Sequence, residues 1–377
     1  MDGPDYRTVV WQTGYGQRER ELAVNGKKKN ILNLLFLAAV FGLTIYGVFK
    51  GEDLHAILQA LKKVKLWYLL FGMIFVIFFI WGESIIIHYM LGTLSIRTRK
   101  RTCFLYSCVG FFFSCITPSA SGGQPAQIYY MKKNEIPISV STLVLMVVTI
   151  TYKSILVFIG LFLVIFQRGF VNRYLTGILP VFYLGVVLNV FCCAIMLVLV
   201  FHPVLAKNIM QAGLKLLVRL HILKNKPERA ERLTNSMEQY TATAAYFKKN
   251  KKVIVNVTLI TFIQRFTLFF VTYLVYRAFG LSGTSVYDVM LQAVISVAVD
   301  MLPLPGGMGI SEKLFLMIFP PVFGTALLLP GMILSRGLAY YSQLLFSAAM
   351  TVVAHFVIGK PKPERVLFEQ QSKGKSI

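Results

Sequence analysis

Six apolar runs, each about as long as a bilayer is thick, constrain this chain more than any motif in it. They are Ile31–Phe49, Leu66–His88, Val140–Phe166, Ile178–Phe201, Val253–Phe279 and Val322–Ile358. A helix needs roughly 20 apolar residues to cross the hydrocarbon core. Only helices and closed barrels satisfy their backbone groups in lipid, and these runs lack the period-two alternation of barrel strands. The expected fold is therefore all-α: a polytopic membrane helix bundle with six full spans. Composition agrees, with 56% hydrophobic and 15% charged residues against about 25% charged in a soluble domain. Nothing in the sequence supports a soluble domain of any size.

Placing the charges explains the net charge of +23. Alternating six spans from a cytosolic N-terminus puts 28 of the 39 Lys and Arg residues inside, so the positive-inside rule predicts both termini in the cytosol. Lys50, Lys62, Lys63 and Lys65 in the first outer loop run against that trend. The implied partners of the basic surface are anionic lipids of the inner leaflet. Nucleic acid is the poorer reading, because no binding module accompanies the charge. Ile31–Phe49 is too long for the core of a cleaved signal peptide and follows a polar stretch. Residues 1–30 and 359–377 read as cytosolic tails flanking a membrane domain over 31–358. Within it, 203–252 forms a basic cytosolic loop. There Leu233, Met237, Tyr240, Ala244 and Phe247 recur at helical spacing, which predicts an amphipathic helix on the inner membrane surface. The five cysteines sit in apolar segments without disulfide or metal-ligand spacing, and no metal or cofactor is expected.

Two further apolar stretches are too broken to be spans. Cys103–Thr117 runs into Pro118-Ser-Ala-Ser-Gly-Gly-Gln-Pro125, and Val286–Leu302 runs into Pro303-Leu-Pro-Gly-Gly-Met-Gly309. Basic clusters on both sides of the first place its two ends in the cytosol, and the span count places the second on the opposite face. Each is expected to be a re-entrant hairpin with a Gly/Pro tip near mid-membrane, where protein or a wet cavity must cover it. The halves match in spacing: Gly123 to Pro137 and Gly307 to Pro321 are both 14 residues, and each half then reaches a mid-span cation, Lys153 or Arg336. That pattern predicts an inverted repeat with a substrate site between its broken segments.

The P-S-A-S-G-G-Q-P and L-P-L-P-G-G-M-G-I-S-E stretches resemble the paired signatures of the flippase-like family named after the transmembrane region of lysylphosphatidylglycerol synthase. The resemblance covers roughly Ile31 to Ile358. It implies a multi-pass protein of a bacterial cell membrane that moves aminoacylated phosphatidylglycerol between leaflets. Relatives also carry a soluble acyltransferase domain, for which the 19 residues after the last span leave no room. A phosphatidylglycerol lysyltransferase label would thus name an activity whose catalytic domain is not expected in this sequence. Gln124 stands where many relatives carry an acidic residue, and Gln127 closes the same motif.

Lys153, Arg265 and Arg336 lie near the centres of their spans, each costing about 2.5–3.5 kcal/mol on an insertion scale. Glu83, Asp300 and Glu312 are acids at similar depth. A structural reading pairs them to hold helices in register. A functional reading makes them a hydrated cavity in which cations receive a lipid phosphate and acids meet a cationic headgroup. Gly122, Gly123, Gly306 and Gly307 would let backbone approach a ligand, or simply make tight turns. Ser311 and Glu312 would open a half-helix whose N-terminal end favours anions. Tyr340 reads as an ordinary interface or packing residue. The expected function is a lipid flippase for a phosphate-bearing lipid. The alternatives are an intramembrane lipid headgroup transferase, or a polyprenyl-phosphate or small-solute transporter. Against the enzyme, no Ser/His pair, H-E-x-x-H or nucleotide loop appears. A homo-oligomer stays open.

Overall fold

The computed structural model describes residues 54–202, 205–206, 208–209, 211–212, 227–283 and 286–358. The run Ile31–Phe49, both tails and most of 203–226 lie outside the described residues. All regular structure among the described residues is helical.

Five segments are long and apolar enough to cross a membrane: Leu66–Thr93, Ile138–Phe166, Thr176–Phe201, Lys251–Ala278 and Pro320–Val357. They coincide with five of the six runs. We number the helices in order: α1 (Leu54–Lys62), α2 (Leu66–Thr93), α3 (Lys100–Ile116), α4 (Gly123–Lys133), α5 (Ile138–Phe166), α6 (Arg168–Tyr174) and α7 (Leu179–Phe201). After the long loop come α8 (Pro227–Lys249), α9 (Lys251–Ala278), α10 (Val286–Val299), α11 (Ile310–Ile318), α12 (Pro320–Arg336) and α13 (Gln343–Val357).

The long helices show two apolar faces, one packed and one bare. On α2, Val76, Phe79, Ile80, Ile87 and Met90 are buried, while Leu66, Trp67, Phe71, Ile74 and Trp81 are exposed. Phe158 and Phe166 of α5 and Val187 and Phe191 of α7 are bare in the same way. So many large exposed side chains on consecutive turns suit lipid rather than water. Helices meet closely where a side chain is missing. A Cβ at Gly82 would lie 2.9 Å from the Gln264 side chain of α9, and one at Gly185 would lie 2.4 Å from the Val297 carbonyl of α10. Small residues at such crossings are the usual device for packing helices in lipid.

The two broken stretches are helix–break–helix elements. In the first, Pro118 forces Thr117 out of the helical region (φ −113°, ψ 146°) and ends α3. Thr117 Oγ1 then donates to the Phe113 carbonyl at 2.6 Å and accepts the Gly122 N–H at 2.9 Å, closing the turn. Helix α4 returns against α3, where a Cβ on Gly123 would strike the Gly110 carbonyl at 2.7 Å. The second element joins α10 to α11 through Pro303–Gly309, with Gly306 (φ 57°), Gly307 (φ 64°) and Gly309 (φ 81°) in the left-handed region. The last span is interrupted too: Gly324 departs from helical geometry, Pro330 lies inside α12, and a π turn over Gly337–Ser342 leads into α13.

Helix α8 departs from the membrane-surface expectation. Met237, Tyr240, Ala244 and Phe247 are buried in a core shared with Met90, Tyr106, Met131, Val144 and Val257. The Tyr240 hydroxyl donates to the Leu199 carbonyl at 3.2 Å, and the Ser139 hydroxyl donates to Gln239 at 2.9 Å. An apolar stripe states that it must be covered but not by what. Here the helix bundle covers it.

Candidate functional site

The tips of the two hairpins touch. The Ser119 hydroxyl donates to the Leu302 carbonyl at 3.2 Å, and the Tyr340 hydroxyl of the last span donates to the Cys115 carbonyl at 2.9 Å. Around that junction lies a cavity of about 490 Å³, walled by both hairpins and by α2, α5, α9 and the last span. Its volume falls in the range of small-molecule sites.

Three cations reach the wall in different circumstances. Lys153 is buried and donates to Asp300 Oδ2 at 2.6 Å, with Asn189 Oδ1 at 3.4 Å and Met301 Sδ at 2.9 Å. Arg336 donates from Nε to Glu312 at 2.7 Å and from Nη2 to the Gly306 carbonyl at 3.1 Å, and its guanidinium lies 4.6 Å from the Tyr340 ring centre. Both acids flank the tip of the second hairpin, and both cations come from spans beside it. The tip is thus strapped on two sides.

Arg265 is held differently. Its guanidinium sits 3.5 Å from the centre of the Tyr152 ring and 4.9 Å from that of Phe79. Among the described residues no carboxylate lies within ion-pair distance of it, and its Nε is buried without a hydrogen-bond partner. Glu83, also on the wall, accepts an amide proton from Gln127 at 2.7 Å and joins no ion pair among the described residues.

Ten of the thirteen candidate residues line this one cavity: Lys153, Arg265, Arg336, Glu83, Asp300, Gln124, Gln127, Gly306, Gly307 and Ser311. Glu312 does not. It is buried behind Arg336, where its second oxygen accepts the Gly309 N–H at 2.7 Å and caps α11. The anion at that helix start is the chain's own carboxylate. Gly122 and Gly123 are also off the wall; added Cβ atoms would meet Thr117 at 2.6 Å and Ser114 Oγ at 2.1 Å, so they pack the hairpin together. Gly306 fits the close-approach reading with the protein's own Tyr340 as the close neighbour, 2.0 Å from an added Cβ. Among the described residues, His, Cys, Asp and Glu side chains form no metal-binding group of three or more.

The family model described as the lysylphosphatidylglycerol synthase TM region matches residues 30–347, which takes in both hairpins and all thirteen candidates. The chain belongs to that family. No curated protein matches it.

For a member of the lysylphosphatidylglycerol synthase membrane-region family, several residues on or behind the wall escape inspection of the sequence. Tyr152 donates to Asp300 and stacks on Arg265, so one ring bridges two charged groups. Asn189, fully buried, accepts from Lys153 and ties α7 to α10 through the Val297 carbonyl at 3.2 Å. Tyr340, expected at an interface or in ordinary packing, is a buried part of the wall.

Proposed function

We propose that this protein moves a phosphate-bearing lipid, such as phosphatidylglycerol or its aminoacylated form, between leaflets through the cavity at the hairpin tips. The observation that carries the reading is Arg265, a cation at mid-span that faces the cavity with aromatic rings beside it and, among the described residues, no carboxylate within ion-pair distance. A guanidinium in that setting gains most from a ligand that brings its own anion. Lipid phosphate is the anion a membrane supplies along its whole surface. The phosphate sits at Arg265 while the acyl chains stay in lipid, and the strapped second hairpin gives the headgroup a fixed wall to pass.

In this reading the hairpins are re-entrant and related as an inverted repeat. The arms of 17, 11, 14 and 9 residues reach about 26, 17, 21 and 14 Å at 1.5 Å per residue, each short of a core about 30 Å thick. Their irregular tips meet each other and the cavity, as backbone at that depth requires. With Ile31–Phe49 as a sixth span, residues 31–358 form one translocation domain with 203–252 as its basic cytosolic link and both termini inside.

The test is leaflet exchange in liposomes. Tail-labelled fluorescent phosphatidylglycerol is bleached by a membrane-impermeant reductant. Protein-free vesicles lose only outer-leaflet signal, and protein-containing vesicles are expected to lose inner-leaflet signal as well. A plateau equal to that of empty vesicles contradicts the proposal.

A further inference from the structure

Far from the cavity, three lysines stand at the end of the bundle where the charge pattern predicts few. Helix α9 ends where α2 begins, since the Lys65 N–H donates to the Ala278 carbonyl at 2.9 Å. The other end of α2 runs into the basic stretch Arg97–Arg101, so the two sets of cations lie at opposite ends of the same helix. At the Leu66 end, Lys62, Lys63 and Lys65 are exposed, and among the described residues none of them joins an ion pair. Lysines alone would suit water. Yet Leu58, Leu66 and Trp67 stand bare among them, 57%, 74% and 71% exposed, while Ile57 and Val64 turn inward and α1 packs against α12. Water does not suit that tryptophan, and hydrocarbon does not suit those lysines. The headgroup region accepts both, which is where basic amphipathic helices and span-end tryptophans settle. An anionic headgroup also brings the counter-charge that the protein does not supply there.

We propose that α1 and the first turn of α2 form a second lipid-binding surface, apart from the cavity, that lies in the headgroup plane and holds anionic phospholipid through Lys62, Lys63 and Lys65. Trp67 meets the top of the acyl chains. The surface belongs to the leaflet opposite Arg97–Arg101, and it binds at equilibrium whether or not the cavity translocates lipid. Because α1 packs against α12, whose last residue is Arg336, the lipid it gathers sits beside the broken last span.

Trp67 is its own reporter. The chain holds three tryptophans, Trp11, Trp67 and Trp81, so Trp11→Phe/Trp81→Phe leaves Trp67 alone. The full chain is placed in phosphatidylcholine nanodiscs, and part of the lipid is replaced by phosphatidylglycerol or phosphatidylcholine brominated at the same acyl position. Brominated phosphatidylglycerol is expected to quench Trp67 with about fivefold higher apparent affinity, the ratio that one lysine contributes at an anionic surface. The ratio should fall toward one in high salt and in Lys62→Gln/Lys63→Gln/Lys65→Gln. Trp81, about 21 Å further along α2 and kept alone in Trp11→Phe/Trp67→Phe, should show no such preference. Equal quenching of Trp67 by the two lipids overturns the proposal, as does a preference that survives the triple substitution or that Trp81 shares. Weak quenching of Trp67 by both lipids, as cover by residues 31–49 would produce, overturns it too.

Discussion

Asp300→Asn and Glu312→Gln are each expected to destabilise the protein in detergent by about 3–5 kcal/mol, the cost of stranding a buried cation. Lys153 is 7% exposed and its ammonium is otherwise met by an amide oxygen and a thioether. Neither replaces a carboxylate. The double variants Lys153→Gln/Asp300→Asn and Arg336→Gln/Glu312→Gln should recover most of that loss, because a neutral pair carries no desolvated charge. Recovery should be less complete for the second. Glu312 also caps α11 through the Gly309 N–H, and a charged cap contributes about 1 kcal/mol that Gln restores only in part. Thermal melts of the two singles and two doubles read this directly. Single variants that melt like the exposed control Lys313→Gln would mean that the two pairs are solvated and that the strapped tip has no energetic basis.

Arg265→Gln should do the reverse. It breaks no ion pair among the described residues, and it forfeits cation–π contact with Tyr152 and Phe79 worth about 0.5–2 kcal/mol, so the melt should shift only modestly. Lipid exchange, however, should fall to the level of empty vesicles, since the one wall cation outside an ion pair among the described residues is gone. Arg265→Lys keeps the charge without the planar fork and should retain part of the rate. A folded Arg265→Gln protein that exchanges lipid at the native rate removes Arg265 from the path.

Much of this could be read from the residues. The five described spans coincide with apolar runs, because hydrophobic length is itself the constraint. The breaks at Thr117–Pro118 and Pro303–Gly309 follow from backbone chemistry that proline and glycine make local. Lys153, Arg265 and Arg336 stood out because a cation near the centre of an apolar run costs insertion energy that a partner or a wet cavity must offset. What the sequence withheld was pairing. Asp300 and Glu312 both lie beside the second tip, yet one faces the void and the other turns behind Arg336 to cap a helix, a difference set by three-dimensional packing. Gly122 and Gly123 looked like Gly306 and Gly307 in pattern, but Gly122 closes the turn on Thr117, Gly123 presses helix on helix, and the others meet Tyr340 and Ser311. The stripe on α8 announced burial without naming the surface. The π turn after Arg336, which brings Tyr340 to the wall, has no compositional signature, and such turns gather at functional sites.

Photolabelling tests most directly whether a lipid phosphate enters the cavity. A phosphatidylglycerol with a photoactivatable group in its headgroup is irradiated in proteoliposomes, and the labelled peptides are mapped by mass spectrometry. Label is expected at the two tips, in Gly110–Gln127 and Gln292–Ser311, and is expected to disappear from both in Arg265→Gln. Label confined to the bare faces around Phe158 and Phe191, or tip label unchanged in Arg265→Gln, would contradict the account.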